Sequence, residues 1–412
     1  MMNMKSKWEK NLIIVMFIGL VVGSWGMYQR LAYGHLPMNY GSFVPWGLWV
    51  AFDLYFLGLT AGAFLITILT YVFRIKLLSN LGPLAVFTVL VTLMCEVIII
   101  SLDLGHPLRV YRFLISPNIG SMLFWLVVFI ISMWIIYVPW LYFLIREQLI
   151  AWGNDATRAG HQVYRFLALG KTTYTPEDQR RDSRRSRFLS FISLPIGLIF
   201  FGAHGAIFAI LHNRPIWNSA MLPLIFIMAA MLSGGALITF LAYLYQPSDE
   251  LIQPLGRVIL LILLAFLFLE ALQLFVGYQS KITGIVTSLD LITVGPYWWV
   301  FWIVHVLIGS LVPAYLLIRY PENSKLVATA CFIIMVTFLS VRLNYLIPDM
   351  AVYKLEGLQN TFYHQRLRTE YAPNLNEWLV SVWVISLGLL TFLLGTRWLP
   401  VIQAGKGEEG HV

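Results

Sequence analysis

Four ionisable side chains stand inside long apolar runs. They are Asp53 in Trp49-Val50-Ala51-Phe52-Asp53, Glu96 in Met94-Cys95-Glu96-Val97, His204 in Ala203-His204-Gly205, and Glu270 in Phe268-Leu269-Glu270-Ala271. Hydrocarbon excludes charge at a cost of a few kcal/mol per group, so acids and imidazoles kept there mark a proton, ion or ligand site. A carboxyl group beside an imidazole is equipped to take up and release protons. Proton exchange, rather than passive anchoring, is the chemistry these residue types suggest.

The elements that carry them are membrane spans. The chain has 412 residues, 59% hydrophobic and 12% charged, about half the charged share of a soluble domain. Ten apolar segments are long enough to cross a bilayer, at roughly 11–28, 45–73, 82–104, 119–145, 188–211, 219–245, 254–278, 297–319, 326–347 and 376–397. Pro and Gly punctuate the connections, as in Gly105–Pro107, Pro215 and Gly295–Pro296. The first run leads into Met27-Tyr28-Gln29-Arg30 instead of a small-residue cleavage site, so it reads as a retained helix.

Helix arithmetic sets the depths. With the second span descending from one face, Asp53 lies about two turns below it, and Glu96 and His204 lie about two turns below the same face. Asp103 and His106 mark the rim above Glu96. Gly58, Ala61, Gly62 and Ala63, just beyond Asp53, either admit a neighbouring helix closely or leave room for a flat ring. The later spans repeat the pattern: Glu270 and Gln273 match the depth of Glu96, and His305, Arg342 and Asn344 lie in the same half. Spans 2–5 and 6–9 thus read as two parallel four-helix units, covering 45–211 and 219–347. Glu270 and Arg342 could form an ion pair, part of a proton path with His305, or a second ligand site.

Loop charge gives the orientation. With both termini cytoplasmic, that side holds 18 Lys and Arg against 8 outside, the bias expected of cytoplasmic loops. Nine of the 18 lie in the basic 146–187 loop, which would face anionic headgroups or a cytoplasmic partner. The net charge of +8 therefore reports membrane orientation and not nucleic-acid binding. The 348–375 loop lies outside and is long enough to form a contact surface. Cys95 and Cys331 sit alone in apolar runs. With no C-x-x-C or C-x-x-C-H, the chain cannot by itself ligate an iron–sulfur cluster or attach a haem covalently, and no metal site is expected.

Asp103-Leu104-Gly105-His106-Pro107-Leu108-Arg109, with Phe113-Leu114-Ile115-Ser116-Pro117-Asn118 and Ser121-Met122, resembles the loop between helices 3 and 4 in the NrfD/polysulfide reductase (PsrC-like) membrane-subunit family. Pro45-Trp46-Gly47-Leu48-Trp49-Val50-Ala51-Phe52-Asp53 looks like the opening of helix 2 in its ten-helix branch, similar to the hydrogenase-2 membrane subunit HybB. The Pro215-Ile216-Trp217-Asn218-Ser219 segment and the last helix also look like that branch. One departure is His106, where the family often has Arg.

The resemblance implies an all-α fold of two four-helix bundles flanked by helices 1 and 10. It also implies a quinone site, for menaquinone or ubiquinone, in the first bundle. Asp53, Glu96, Asp103, His106, His204 and Trp49 are its candidate lining, and Asp53, Glu96 and His204 its catalytic set. Implied partners are an extracytoplasmic multi-cluster ferredoxin-like iron–sulfur subunit and a further catalytic subunit or cytochrome. The expectation is a quinone-reactive subunit of a respiratory oxidoreductase in the inner membrane. Competing readings are a secondary transporter, a membrane cytochrome b (only His204 and His305 could be axial ligands) and a purely structural anchor.

Overall fold

The structure, a computed structural model, describes residues 2–214, 216–219, 221–353, 357, 361, 364 and 366–402. Pro215, Lys354 and Lys406, used in the sequence reading, lie outside the described residues. Among the described residues, ten helices are long and apolar enough to cross a membrane: α1 (Trp8–Tyr33), α2 (Leu48–Tyr71), α3 (Lys76–Asp103), α4 (Met122–Asn154), α5 (Pro176–Ala209), α6 (Met221–Tyr245), α7 (Asp249–Gln279), α8 (Val300–Arg319), α9 (Ser324–Met350) and α10 (Leu375–Trp398). All ten expected spans are present. Because they alternate in direction, α1 begins and α10 ends on one side, the terminal face. We call the opposite side, from which α2 descends, the site face.

Helices α2 to α5 pack as one bundle and α6 to α9 as a second, with α2 against α6 joining them. The joint is made by glycine. A β-carbon on Gly234 of α6 would lie 2.6 Å from the Cα of Gly62 and 2.5 Å from the carbonyl oxygen of Gly58. The two backbones therefore touch, as small residues permit between membrane helices. This decides between the two uses foreseen for Gly58 and Gly62: at these two positions they admit a helix. Tyr55 adds a hydrogen bond across the joint, from its hydroxyl to the carbonyl of Met335 in α9 (2.8 Å).

The flanking helices lie together. α1 packs on α10, and α10 on α3. Gly23 and Gly26 of α1 leave no room for a side chain against Leu379 and Trp383 of α10. Outward faces are apolar and exposed, for example Phe17, Ile135, Leu198 and Phe268, which suits contact with lipid.

The 146–187 segment differs from the expected loop. α4 continues to Asn154, a short helix covers His161–Leu167, and α5 starts at Pro176, well before the apolar run. The reason is local. Thr175 accepts from the Asp178 amide (3.2 Å), Asp178 accepts from the Thr175 amide (3.0 Å), and Pro176 takes the first helical position. This reciprocal cap starts the helix there, so Arg180–Arg187 becomes a helical extension of α5.

Candidate functional site

Three helices of the first bundle deliver Asp53, Glu96 and His204 to one level. Asp53 is five residues into α2, Glu96 seven before the end of α3, and His204 five before the end of α5, all about 7–11 Å below the site face. They are 7%, 0% and 5% exposed. His204 Nε2 stands 3.7 Å from Glu96 Oε1, too far for a direct hydrogen bond. Its Nδ1 lies 2.9 Å from the carbonyl oxygen of Phe200. A carbonyl can only accept, so Nδ1 carries a proton and Nε2 is left facing the acid. The Phe200 ring meets the imidazole edge-on at 4.7 Å between centroids.

Neither oxygen of Glu96 has a hydrogen-bond partner among the described residues. An unsatisfied buried carboxyl is costly and calls for an explanation. Asp53 lies within electrostatic reach of Glu96 on one side and Asp103 on the other. One Asp103 oxygen is buried without a partner among the described residues. Beside it, Arg30 of α1 caps the end of α3, donating to the carbonyls of Leu102 (2.6 Å) and Leu104 (2.5 Å).

Trp49 and His106 are placed elsewhere. Trp49 is fully buried, and its indole N–H donates to the Glu377 carbonyl of α10 (3.1 Å). It fastens α2 to α10. His106 is exposed on the rim, beyond the end of α3.

A polar knot at the rim was not foreseen. Glu377, fully buried, accepts from the Asn39 amide (2.7 Å) and from the Tyr371 hydroxyl. Tyr371 in turn accepts from the Leu48 amide (2.8 Å), an otherwise orphaned donor in the first turn of α2. Tyr40 stacks on Tyr371 at 5.9 Å. Burial, and then the Asp103 carboxylate, hold the Tyr40 phenol well above its ordinary pKa, so it keeps its proton. The only signal in the sequence was Asn374-x-x-Glu377, a helix-start pattern. It predicts the cap but not the neighbours the cap gathers.

The second bundle holds a tighter pair. His305 Nε2 lies 2.7 Å from Glu270 Oε2, both residues buried. Residues Val300–Leu311, which carry His305, are wound as π-helix, a widened turn found often at functional positions. The Glu270–Arg342 ion pair offered by the sequence is replaced by this one. Arg342 instead lies over the Phe226 ring (5.0 Å) near the α2–α6 joint, with Nη1 unpartnered among the described residues.

Beside the pair is a small cavity of about 30 Å³ walled by Glu270, Gln273, Asn344, Tyr345 and Asp349 among others. It adjoins a groove of about 640 Å³ that shares Asn344 and Pro348 and is lined by Tyr297, Trp299, Tyr371 and Trp378. Asp53, Glu96 and His204 line neither cavity.

A ten-span helical protein with one acid–imidazole pair in each of two bundles is the class these features define. The chain belongs to the polysulphide reductase NrfD family, whose model matches residues 37–353. It is 29% identical to a subunit of the selenate reductase of Mesobacillus selenatarsenatis, over 95% of this chain and 93% of the relative. It is 23% identical to the Hdr-like menaquinol oxidoreductase integral membrane subunit of Archaeoglobus fulgidus, over 89% of this chain and 87% of the relative. It is 23% identical to the menaquinone reductase integral membrane subunit of Nitratidesulfovibrio vulgaris, over 92% of this chain and 88% of the relative.

Proposed function

We propose that this chain is the quinone- or quinol-reactive membrane subunit of a multisubunit respiratory oxidoreductase. In this reading it sits in the inner membrane with both termini cytoplasmic. It exchanges electrons between membrane quinone and an extracytoplasmic iron–sulfur subunit docked on the site face. The observation that carries the proposal is the unsatisfied Glu96 carboxyl held 3.7 Å from His204 Nε2, with Asp53 beside it. Support comes from the relatives named as menaquinol oxidoreductase and menaquinone reductase membrane subunits.

The residues fit a polar headgroup in donor chemistry. His204, with its Nδ1 proton held by the Phe200 carbonyl, presents Nε2 as an acceptor to a quinol hydroxyl, and Glu96 has two oxygens with no competing partner among the described residues. Quinone supplies a two-electron, two-proton couple, so the protein must provide a proton route to the ring oxygens. Asp53 and Glu96 hold and pass those protons, and Asp103 carries them to the rim. His204 Nε2, left without a proton by the Nδ1–H bond to Phe200, accepts the hydroxyl proton of a quinol as it is oxidised. The three residues are closed in, so the entrance is assigned to the exposed apolar segment that follows α3, which includes Leu108 (90% exposed), Ile115 and Ile119. In the second bundle, Glu270, His305 and Arg342 form the candidate proton path, with the adjoining cavity as its mouth.

The test is quinol turnover by the assembled complex carrying Asp53→Asn or Glu96→Gln. Each change keeps the shape and removes the titratable proton. A fall of about 10²-fold or more with normal assembly is expected; wild-type turnover in both variants would refute the assignment.

A further inference from the structure

The helical extension of α5 carries five arginines between residues 180 and 187, and the structure sorts them into two sets. Arg181 donates to Glu177 (3.1 Å). Arg185 lies 3.8 Å from Asp182 and over the Phe143 ring (5.2 Å). Arg180, Arg184 and Arg187 are exposed and have neither an ion pair nor a ring contact among the described residues. Those three are spaced i, i+4, i+7, which is one stripe of a helix.

The same stripe continues into Phe188, Phe191 and Leu198, which are 64%, 53% and 61% exposed. The opposite stripe, Asp178, Asp182, Ser186, Ser190 and Ser193, is buried. The outward stripe is therefore lipid-facing in its lower part. From Phe188 to Ala209 the helix runs 22 residues, about 33 Å, which matches a hydrocarbon core of about 30 Å. Phe188 then marks the edge of the hydrocarbon. The three unpaired guanidinium groups occupy the next 10 Å or so, the layer of phosphate headgroups.

A cavity of about 350 Å³ opens beside this stripe, between α2, α4 and α5. Its wall includes Arg187, Ser183, Gln179, Tyr71 and, from the end of α2, Arg74. Two carboxylates also line it. Asp182 is neutralised by Arg146, which donates to both its oxygens at 3.2 Å, leaving Glu147 against two arginines. Arg74 holds a left-handed backbone conformation (φ 56°) that glycine would adopt without strain.

We propose that Arg180, Arg184 and Arg187, with Arg74 across the cavity, form a binding site for an anionic glycerophospholipid, its phosphodiester held by the arginines and its acyl chains lying along Phe188, Phe191 and Leu198. Guanidinium groups suit this ligand because they pair with phosphate oxygens in a fork. The apolar continuation of the stripe favours a lipid over a soluble protein. The site does not depend on the redox reading and stands if that reading fails.

Native mass spectrometry of the purified complex, titrated with phosphatidylglycerol or phosphatidylcholine, tests it. Affinity for the first phosphatidylglycerol should fall on the order of fivefold per arginine removed. The R180Q/R184Q/R187Q variant should thus lose about a hundredfold, and R74Q/R187Q about twenty-fivefold. R181Q/R185Q, whose arginines are already paired, should lose little. Should the triple variant not be recovered intact, R184Q alone decides, at about fivefold. Unchanged affinity in the stripe variants, an equal loss in R181Q/R185Q, equal binding of phosphatidylcholine, or displacement by excess inorganic phosphate would each overturn the proposal.

Discussion

At the scale of single residues, the proposed function turns on acids and imidazoles kept where lipid should exclude them. His204 and His305 each face one carboxyl, but differently. The 2.7 Å contact of His305 with Glu270 is a completed bond, whereas the 3.7 Å gap at Glu96 leaves the acid unsatisfied. A completed pair stores or relays a proton; an open one can accept a third group.

That contrast has two measurable consequences. His204→Phe should lower quinol turnover by about 10²-fold while leaving the thermal midpoint of the complex nearly unchanged; full activity would remove the imidazole from the site. Glu270→Gln should leave the electron-transfer rate within about twofold but lower the protons released per electron in proteoliposomes. Protons and electrons falling together would place Glu270 in the redox step itself.

The shared depth of Asp53, Glu96 and His204 was legible in the sequence because depth follows from helix rise alone. The direction each side chain faces was not. Trp49, one turn above Asp53, read as part of a ring pocket, yet it turns to α10 and bonds the Glu377 carbonyl. Glu377 itself was hidden because an acid three residues into a helix reads as a cap.

At the scale of elements, glycine decides which helices may touch. The ten spans were readable from apolar run length, and the helix contacts are consistent with the two units read from the recurrence of polar positions. The contact between the units was not, because Gly58 and Gly62 fit either a helix or a ring. Gly234, unremarked in the sequence, is the other half of that contact. A side chain there must push the bundles apart. Gly234→Leu should destabilise the subunit by about 3 kcal/mol or more, read as a lower thermal midpoint and poor assembly. Gly202→Leu, at a helical glycine whose added β-carbon would meet nothing within 4 Å, is the control and should assemble normally. Equal behaviour of the two variants would mean that the joint is looser than described. The basic 146–187 segment read as a loop because charge masks helical periodicity, while the Thr175–Asp178 cap that starts α5 there lay in view.

At the scale of the whole molecule, two bundles of like construction carry unlike sites. The first closes its acids in near the site face. The second keeps its pair beside a cavity that adjoins an open groove. This division suggests one bundle for the quinone reaction and the other for moving protons. It also names the alternative most in need of exclusion: that the roomier groove around Tyr297 and Trp378 takes the quinone instead. Photo-crosslinking of the intact complex with an azido-quinone separates the two directly. Adducts are expected on peptides of α2, α3 and α5 around Asp53, Glu96 and His204, competed away by native quinone. Adducts confined to the groove peptides that carry Tyr297, Trp299 and Trp378 would contradict a quinone site in the first bundle.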